Sequence, residues 1–177
     1  EGNNCHISSN TIITLPSADN KAGVVVVGDD VIVEDNTIST GAGGVGSGHR
    51  GIRVFGNRIS IRNNIIETYG TNGNDGIELT GSYGFTNITG NTIRANGSSS
   101  PNYGIDIING WHNVSLVNNN ISSLRSDYTI HDFGNHPNTL IYNNSLAQIT
   151  WTGNLTTNIS LQLGSTIFIE NNKVGLT

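Results

Sequence analysis

Near-copies of one six-residue phrase recur along the chain: VEDNTI at 33–38, IRNNII at 61–66, ITGNTI at 88–93 and LVNNNI at 116–121. Aligning the Asn that stands two places before the last apolar residue brings in ISSNTI at 7–12, IYNNSL at 141–146 and IENNKV at 169–174. The anchors are Asn10, Asn36, Asn64, Asn91, Asn119, Asn144 and Asn172, spaced 26, 28, 27, 28, 25 and 28 residues apart. A period in this range is the signature of a repeat architecture, in which each unit buries its apolar face only by stacking on the next.

The columns of that alignment set the geometry. Three places before each anchor stand Ile7, Val33, Ile61, Ile88, Leu116, Ile141 and Ile169. Five places before stand Cys5, Val31, Ile59, Thr86, Val114, Thr139 and Ile167, and two after stand Ile12, Ile38, Ile66, Ile93, Ile121, Leu146 and Val174. Apolar residues at −5 and −3 with mixed residues between them define one inward strand face. A second strand follows in most repeats: GVVVV from Gly23, GIRVF from Gly51, GIELT from Gly76 and GIDII from Gly104, with weaker versions TIHDF from Thr129 and NISLQL from Asn158. No repeat leaves room for a helix. Equivalent strands of successive repeats run the same way, so they pair in parallel at ~4.8 Å per coil. The expectation is an all-β parallel β-helix of six to seven coils, with residues 1–177 as one domain. In it the anchors stack as a hydrogen-bonded Asn ladder, each at a bend where left-handed backbone suits Asn.

Composition agrees. The chain has 27 Asn and 23 Gly among 177 residues, and its apolar residues are mostly Val and Ile. Asn and Gly favour turns and are poor in helix interiors, whereas Val and Ile favour strands. Charged residues are only 12%, about half the usual share, and the net charge is −5. Without a Lys/Arg cluster the chain lacks the electrostatic footprint of a nucleic-acid partner. No apolar run approaches the ~20 residues of a membrane-spanning helix. Cys5 is alone, which reads as a buried thiol or an intermolecular bridge.

The pattern resembles the right-handed parallel β-helix repeat family, which includes pectin lyases, alginate-modifying enzymes, phage tailspikes and surface proteins of bacteria and archaea. The Asn-rich stretch LIYNNSLAQITWTGNLTTNISLQLGSTIFIENNKVGL is also similar to segments of long archaeal cell-surface proteins. The resemblance implies an extracellular or cell-surface location. Seven Asn-x-Ser/Thr sequons begin at Asn87, Asn96, Asn113, Asn120, Asn143, Asn154 and Asn158, and a chain this rich in those residues yields several by chance.

Three places could carry function. The outward position of the Gly strand reads Val25, Arg53, Glu78, Asp106, His131, Ser160, beside a column of Arg50, Asp75, Tyr103 and Tyr128. The bland reading is a solvated charge ladder; the sharper ones are a binding face or a catalytic one. Enzymes of the resembling family act on acid sugars by β-elimination or C5 epimerisation. The resemblance then implies Arg53 or Arg50 neutralising the sugar carboxylate and His131 or Tyr103 moving the proton. Glu78 and Asp106 are also a carboxylate pair of the kind used in glycoside hydrolysis. Second, Tyr83, Trp111 and His136 share a short-turn column, where aromatic faces stack on sugars or pack the turn. Third, the loops TLPSADNKA, GAGGVGSGH, YGTNGND and NGSSSPNY all leave between the Asn bend and the Gly strand, which places them on one edge. The histidines show no ligand spacing and NGND lacks the acidity of a calcium loop, so neither metal nor cofactor is expected. Asp132 falls in the inward column with Val26, Val54, Leu79 and Ile107; a local bulge turning it outward is the expected escape from burial.

The primary expectation is a structural or adhesive surface protein, either glycan-binding or stacked into a larger assembly. It includes no catalytic residue. Its partners are self-association or adjoining coils at the solenoid ends, because each end coil offers an apolar section and no cap is evident. The alternative is a polysaccharide lyase or uronate epimerase acting through Arg53, Glu78, Asp106, His131 and Tyr103.

Overall fold

The computed structural model describes residues 2–15, 19–43, 46–80, 84–99, 101–108, 112–123, 129–133, 140–146, 148–151, 159–161 and 166–169. Residues 112, 132–133 and those from 146 onward are described as backbone alone.

Each coil contributes three short strands. The first holds β1 (His6–Ser8), β2 (Thr11–Thr14) and β3 (Ala22–Val26), and the second β4 (Ile32–Glu34), β5 (Thr37–Thr40) and β6 (Arg50–Val54). The third holds β7 (Ile59–Arg62), β8 (Ile65–Gly70) and β9 (Asp75–Thr80), and the fourth β10 (Gly84–Thr89), β11 (Thr92–Gly97) and β12 (Ile105–Ile108). The fifth holds β13 (His112–Val117), β14 (Asn120–Ser123) and β15 (Ile130–Phe133). Beyond them come β16 (Leu140–Leu146), β17 (Gln148–Trp151), β18 (Ile159–Leu161) and β19 (Thr166–Ile169). Every pairing is parallel, and each regular strand pairs with its counterpart one coil away. Sheet A stacks β1, β4, β7, β10, β13 and β16; sheet B stacks β2, β5, β8, β11 and β14; sheet C stacks β3, β6, β9, β12, β15, β17 and β19. This is a parallel β-solenoid, and no helix occurs among the described residues.

The inward columns are where the repeat puts them. Val31, Ile59 and Val114 at −5, Val33, Ile61, Ile88, Leu116 and Ile141 at −3, and Ile38, Ile66, Ile93 and Ile121 at +2 are all buried. Sheet C adds Val24, Ile52, Ile77, Ile105 and Ile130. The Gly near the start of β3, β6, β9 and β12 lets the coil close. A Cβ on Gly76 would lie 2.1 Å from Ile93 Cγ2 and 2.5 Å from the Gly104 carbonyl, and Gly51 and Gly104 meet Ile66 and Ile121 equally closely.

The ladder runs unbroken from Asn10 through Asn36, Asn64, Asn91 and Asn119 to Asn144. Each Nδ2 donates to the next Oδ1 at 2.9–3.0 Å, and each anchor's backbone N–H donates to the same oxygen. From Asn36 onward Nδ2 also donates to the carbonyl three places before the preceding anchor. The five anchors after Asn10 are buried. The left-handed residue, however, is the one before the anchor: Ser9, Asp35, Asn63, Gly90, Asn118 and Asn143 have φ from 50° to 67°. The bend belongs to that neighbour, and the anchor's side chain turns inward to tie the coils.

Other expectations need correction. From β1 to β13 the chain makes about four regular turns, fewer than the six to seven coils expected. The later strands leave the alignment: β18 pairs with β16 rather than joining sheet C, so Ser160 does not extend the outward column, and Thr150 takes the place beside His131. β19 joins sheet C through β17, so Ile167 and Ile169 do not continue the −5 and −3 columns of sheet A; Asn172 lies outside the described residues. Cys5 is exposed rather than buried. β12 and β15 pair in unbroken register from Ile105–Ile130 to Ile108–Phe133, with no bulge at Asp132.

Candidate functional site

Sheet C presents the site. Its strands pair in register, so Val25, Arg53, Glu78, Asp106 and His131 stand side by side on five successive strands. Arg50 pairs with Asp75 one step earlier in the coil, and Tyr103 follows on the next, where its N–H donates to Asp75 Oδ1 at 3.0 Å.

This column is no solvated ladder. Glu78 is 0% exposed, Asp75 2% and Asp106 5%. Burying three carboxylates side by side is costly unless cations and donors converge on them. They do converge. Glu78 Oε2 accepts from Arg50 Nε at 2.6 Å and Oε1 from Arg53 Nε at 2.5 Å. Arg50 also lies 3.7 Å from Asp75. Asp106 Oδ1 is 2.8 Å from His131 Nδ1, and the His131 ring stacks on Tyr103 with centroids 4.4 Å apart and planes 11° apart. Arg53, Glu78, Asp106, His131 and Tyr103 are therefore one cluster, which Arg50 and Asp75 complete.

Protonation follows from the packing. Burial pushes the Asp75 carboxyl up to about 7, the nearby Asp106 charge adds to the rise, and the Tyr103 N–H partly offsets both. Burial also raises Asp106, against the pull of its His131 hydrogen bond. In the tautomer that carries its proton on Nδ1, His131 donates to Asp106 and the ring's lone pair is on Nε2.

Arg53 is the most exposed charged group of the cluster, with 39% of its side chain open. Its Nε is held by Glu78 and its guanidinium carbon lies 4.8 Å over the Phe55 ring. Its terminal nitrogens carry no hydrogen bond among the described residues, so an anchored fork of donors faces outward.

A second ladder holds the approach to the site. His49 N–H donates to Asn74 Oδ1 at 3.1 Å, and Asn74 donates through N–H and Nδ2 to Asn102 Oδ1 at 3.1 and 2.8 Å. Asn74 and Asn102 are fully buried, each immediately before a residue of the cluster, Asp75 and Tyr103. An alignment built on one Asn per repeat passes over this ladder; the phrases NDGI and NYGI, an Asn two places before the strand Gly, are its signal.

Asp75, Glu78 and Asp106 each bring an oxygen within 4.8 Å of the other two, the separation at which three ligands could hold an ion. Both Glu78 oxygens already accept from arginines, so an ion would have to displace a guanidinium, and no metal is assigned. Tyr83, Trp111 and His136 lie outside the described residues. No family model, curated protein or solved structure matches the chain.

Proposed function

We propose that the protein is a cell-surface or secreted member of the β-helix repeat family that processes an acidic polysaccharide by proton transfer, as a lyase or uronate epimerase. The observation that carries this reading is the pairing of an oriented base with an outward cation. Asp106 holds His131 by Nδ1 at 2.8 Å, and Glu78 and Phe55 hold Arg53, whose side chain is 39% exposed. Arg53 would take the sugar carboxylate and so acidify the adjacent C–H. His131, through Nε2, would remove that proton. The electron pair then either expels the glycosidic oxygen β to the carboxylate, leaving a C=C bond, or takes a proton back on the opposite face. Tyr103, stacked on His131, would supply the leaving oxygen's proton.

The test is incubation with alginate or polygalacturonate. The expected products are unsaturated ends that absorb in the ultraviolet, or an inverted C5 by NMR. His131→Ala should abolish turnover, and Arg53→Gln should lower kcat as well as raise KM, because the charge it neutralises grows as the proton leaves. Absence of product and of binding with every acidic glycan would leave the second reading, a rigid structural or adhesive surface. That reading is supported by the continuous Asn ladder and by the exposed apolar residues of the first coil, Ile13 at 62%, Leu15 at 70% and Val25 at 50%. Under it, head-to-tail stacking of copies would show as concentration-dependent light scattering.

A further inference from the structure

Beside the cluster, on the loop edge, lies an open surface depression of about 310 Å³ whose lining includes Asp19, Asn20, Ser47, Arg50, Asn72 and Pro101. Its walls continue the solenoid's ladder through the loops. Asn20 N–H donates to the Ser47 carbonyl at 2.8 Å, Ser47 N–H to Asp19 Oδ1 at 2.8 Å, and Gly48 N–H to the Asn72 carbonyl at 2.9 Å. Asn20, Gly48 and Gly73 repeat a left-handed backbone at φ 59°, 73° and 62°. Gly48 lets Asn20 and Arg50 pack closely on the backbone: a Cβ there would clash with Asn20 Oδ1 and lie 2.7 Å from Arg50 Nη1. Arg50 is shared by both places. Its Nε serves Glu78, while its Nη1 reaches Asn20 Oδ1 at 3.3 Å and the Gly48 carbonyl.

Resting on the reading of the cluster as a polysaccharide site, we propose that this depression is an adjoining subsite for a neutral, hydroxyl-rich sugar unit. The lining offers amides, a hydroxyl and backbone groups, which match sugar hydroxyls. Among the described lining residues none is aromatic. An acidic unit is disfavoured, because Asp19 closes one wall and the charge of Arg50 is already spent on Glu78. An open depression of this size holds one ring along one face rather than enclosing several. The glycan accepted would then carry its acidic unit at Arg53 and a neutral unit at the loop edge.

NMR titration of the isotope-labelled full chain tests this, with manno- and xylo-oligosaccharides as neutral probes and oligogalacturonates as acidic ones. Neutral probes should shift the amides of Gly48 and Gly73. Asn72→Trp, at an exposed lining position whose backbone bond to Gly48 does not depend on the side chain, should weaken that binding roughly tenfold or more. It should leave the response of Arg53 and His131 to acidic probes unchanged, and Asn72→Ala, which removes one amide without filling the site, should weaken neutral binding less than Asn72→Trp does. If no neutral probe moves Gly48 or Gly73, or if Asn72→Trp binds neutral probes as the wild type does, the subsite is overturned. If acidic probes leave Arg53 and His131 unmoved while neutral ones still shift Gly48, the subsite stands and the reading of the cluster falls instead.

Discussion

Asp75 is the residue on which the cluster's pH behaviour turns. Burial and the neighbouring Asp106 hold its carboxyl at about 7, against an ordinary value of 3.8. In the window between those values the folded chain binds a proton that the unfolded chain has released. The slope of stability with pH is therefore negative there. The favourable protonated state is complete below about pH 4, its advantage declines as pH rises, and nothing further is lost above about pH 7. Asp75→Asn removes this contribution. Chemical denaturation of wild type and variant at several pH values should show the variant gaining relative stability from pH 4 to 7, by up to a few kcal/mol at the top. A constant difference would mean that Asp75 is ionised throughout. Little of this was legible beforehand. The sequence placed Asp75 next to Arg50 in a column, but burial depends on how Arg50, Arg53, Tyr103 and His131 fold over the sheet, which spacing does not encode. The left-handed residue before each anchor was open to reading, since the pairs SN, DN, NN and GN repeat Ser, Asp, Asn and Gly there.

At the scale of the element, the sheet C strand is defined by its glycine as much as by its apolar alternation. Gly23, Gly51, Gly76 and Gly104 stand where the branched methyl of Ile38, Ile66, Ile93 or Ile121 crosses the coil. None of the four requires a left-handed backbone, so close approach is the reason for glycine here. Gly76→Ala should therefore overpack the coil and cost ~1–3 kcal/mol, unlike a Gly→Ala change in open space, which stabilises slightly. Thermal unfolding of Gly76→Ala checks this, and the double variant with Ile93→Val is the control. That valine keeps the branched methyl, so it should not restore the loss, whereas Ile93→Ala removes it and should recover part. The regular strands were readable because a solenoid repeats the same local conflict in every coil and solves it with the same residue. After β15 that logic lapses. The weak strand NISLQL has Asn where the glycine should be, and its Ile159–Leu161 segment pairs with β16 in sheet A.

Across the whole molecule, stability runs along one axis, because each coil touches only its neighbours. Position in the stack should then matter more than residue type. Asn91 donates to Asn119 Oδ1, to the Ile61 carbonyl and to the Thr89 carbonyl, and its oxygen accepts from both nitrogens of Asn64. Replacing it with Ala strands a buried donor on Asn64 and a buried carbonyl on Ile61. Asn10 makes the same kind of link on one side only, to Asn36 and to its own Ser8 carbonyl, and it is exposed to water. Water can satisfy what Asn10→Ala leaves behind, so its cost should stay below ~1 kcal/mol, against ~1–3 kcal/mol for Asn91→Ala. The two should also fail differently. Asn10→Ala should speed amide exchange in β1–β3 alone. Asn91→Ala weakens an interface between two halves of the stack, so exchange should rise on both sides of β11 and the denaturant transition should broaden or split. Equal costs and identical exchange patterns would mean that the ladder adds its bonds independently and that the coils unfold as one unit regardless of where the stack is cut.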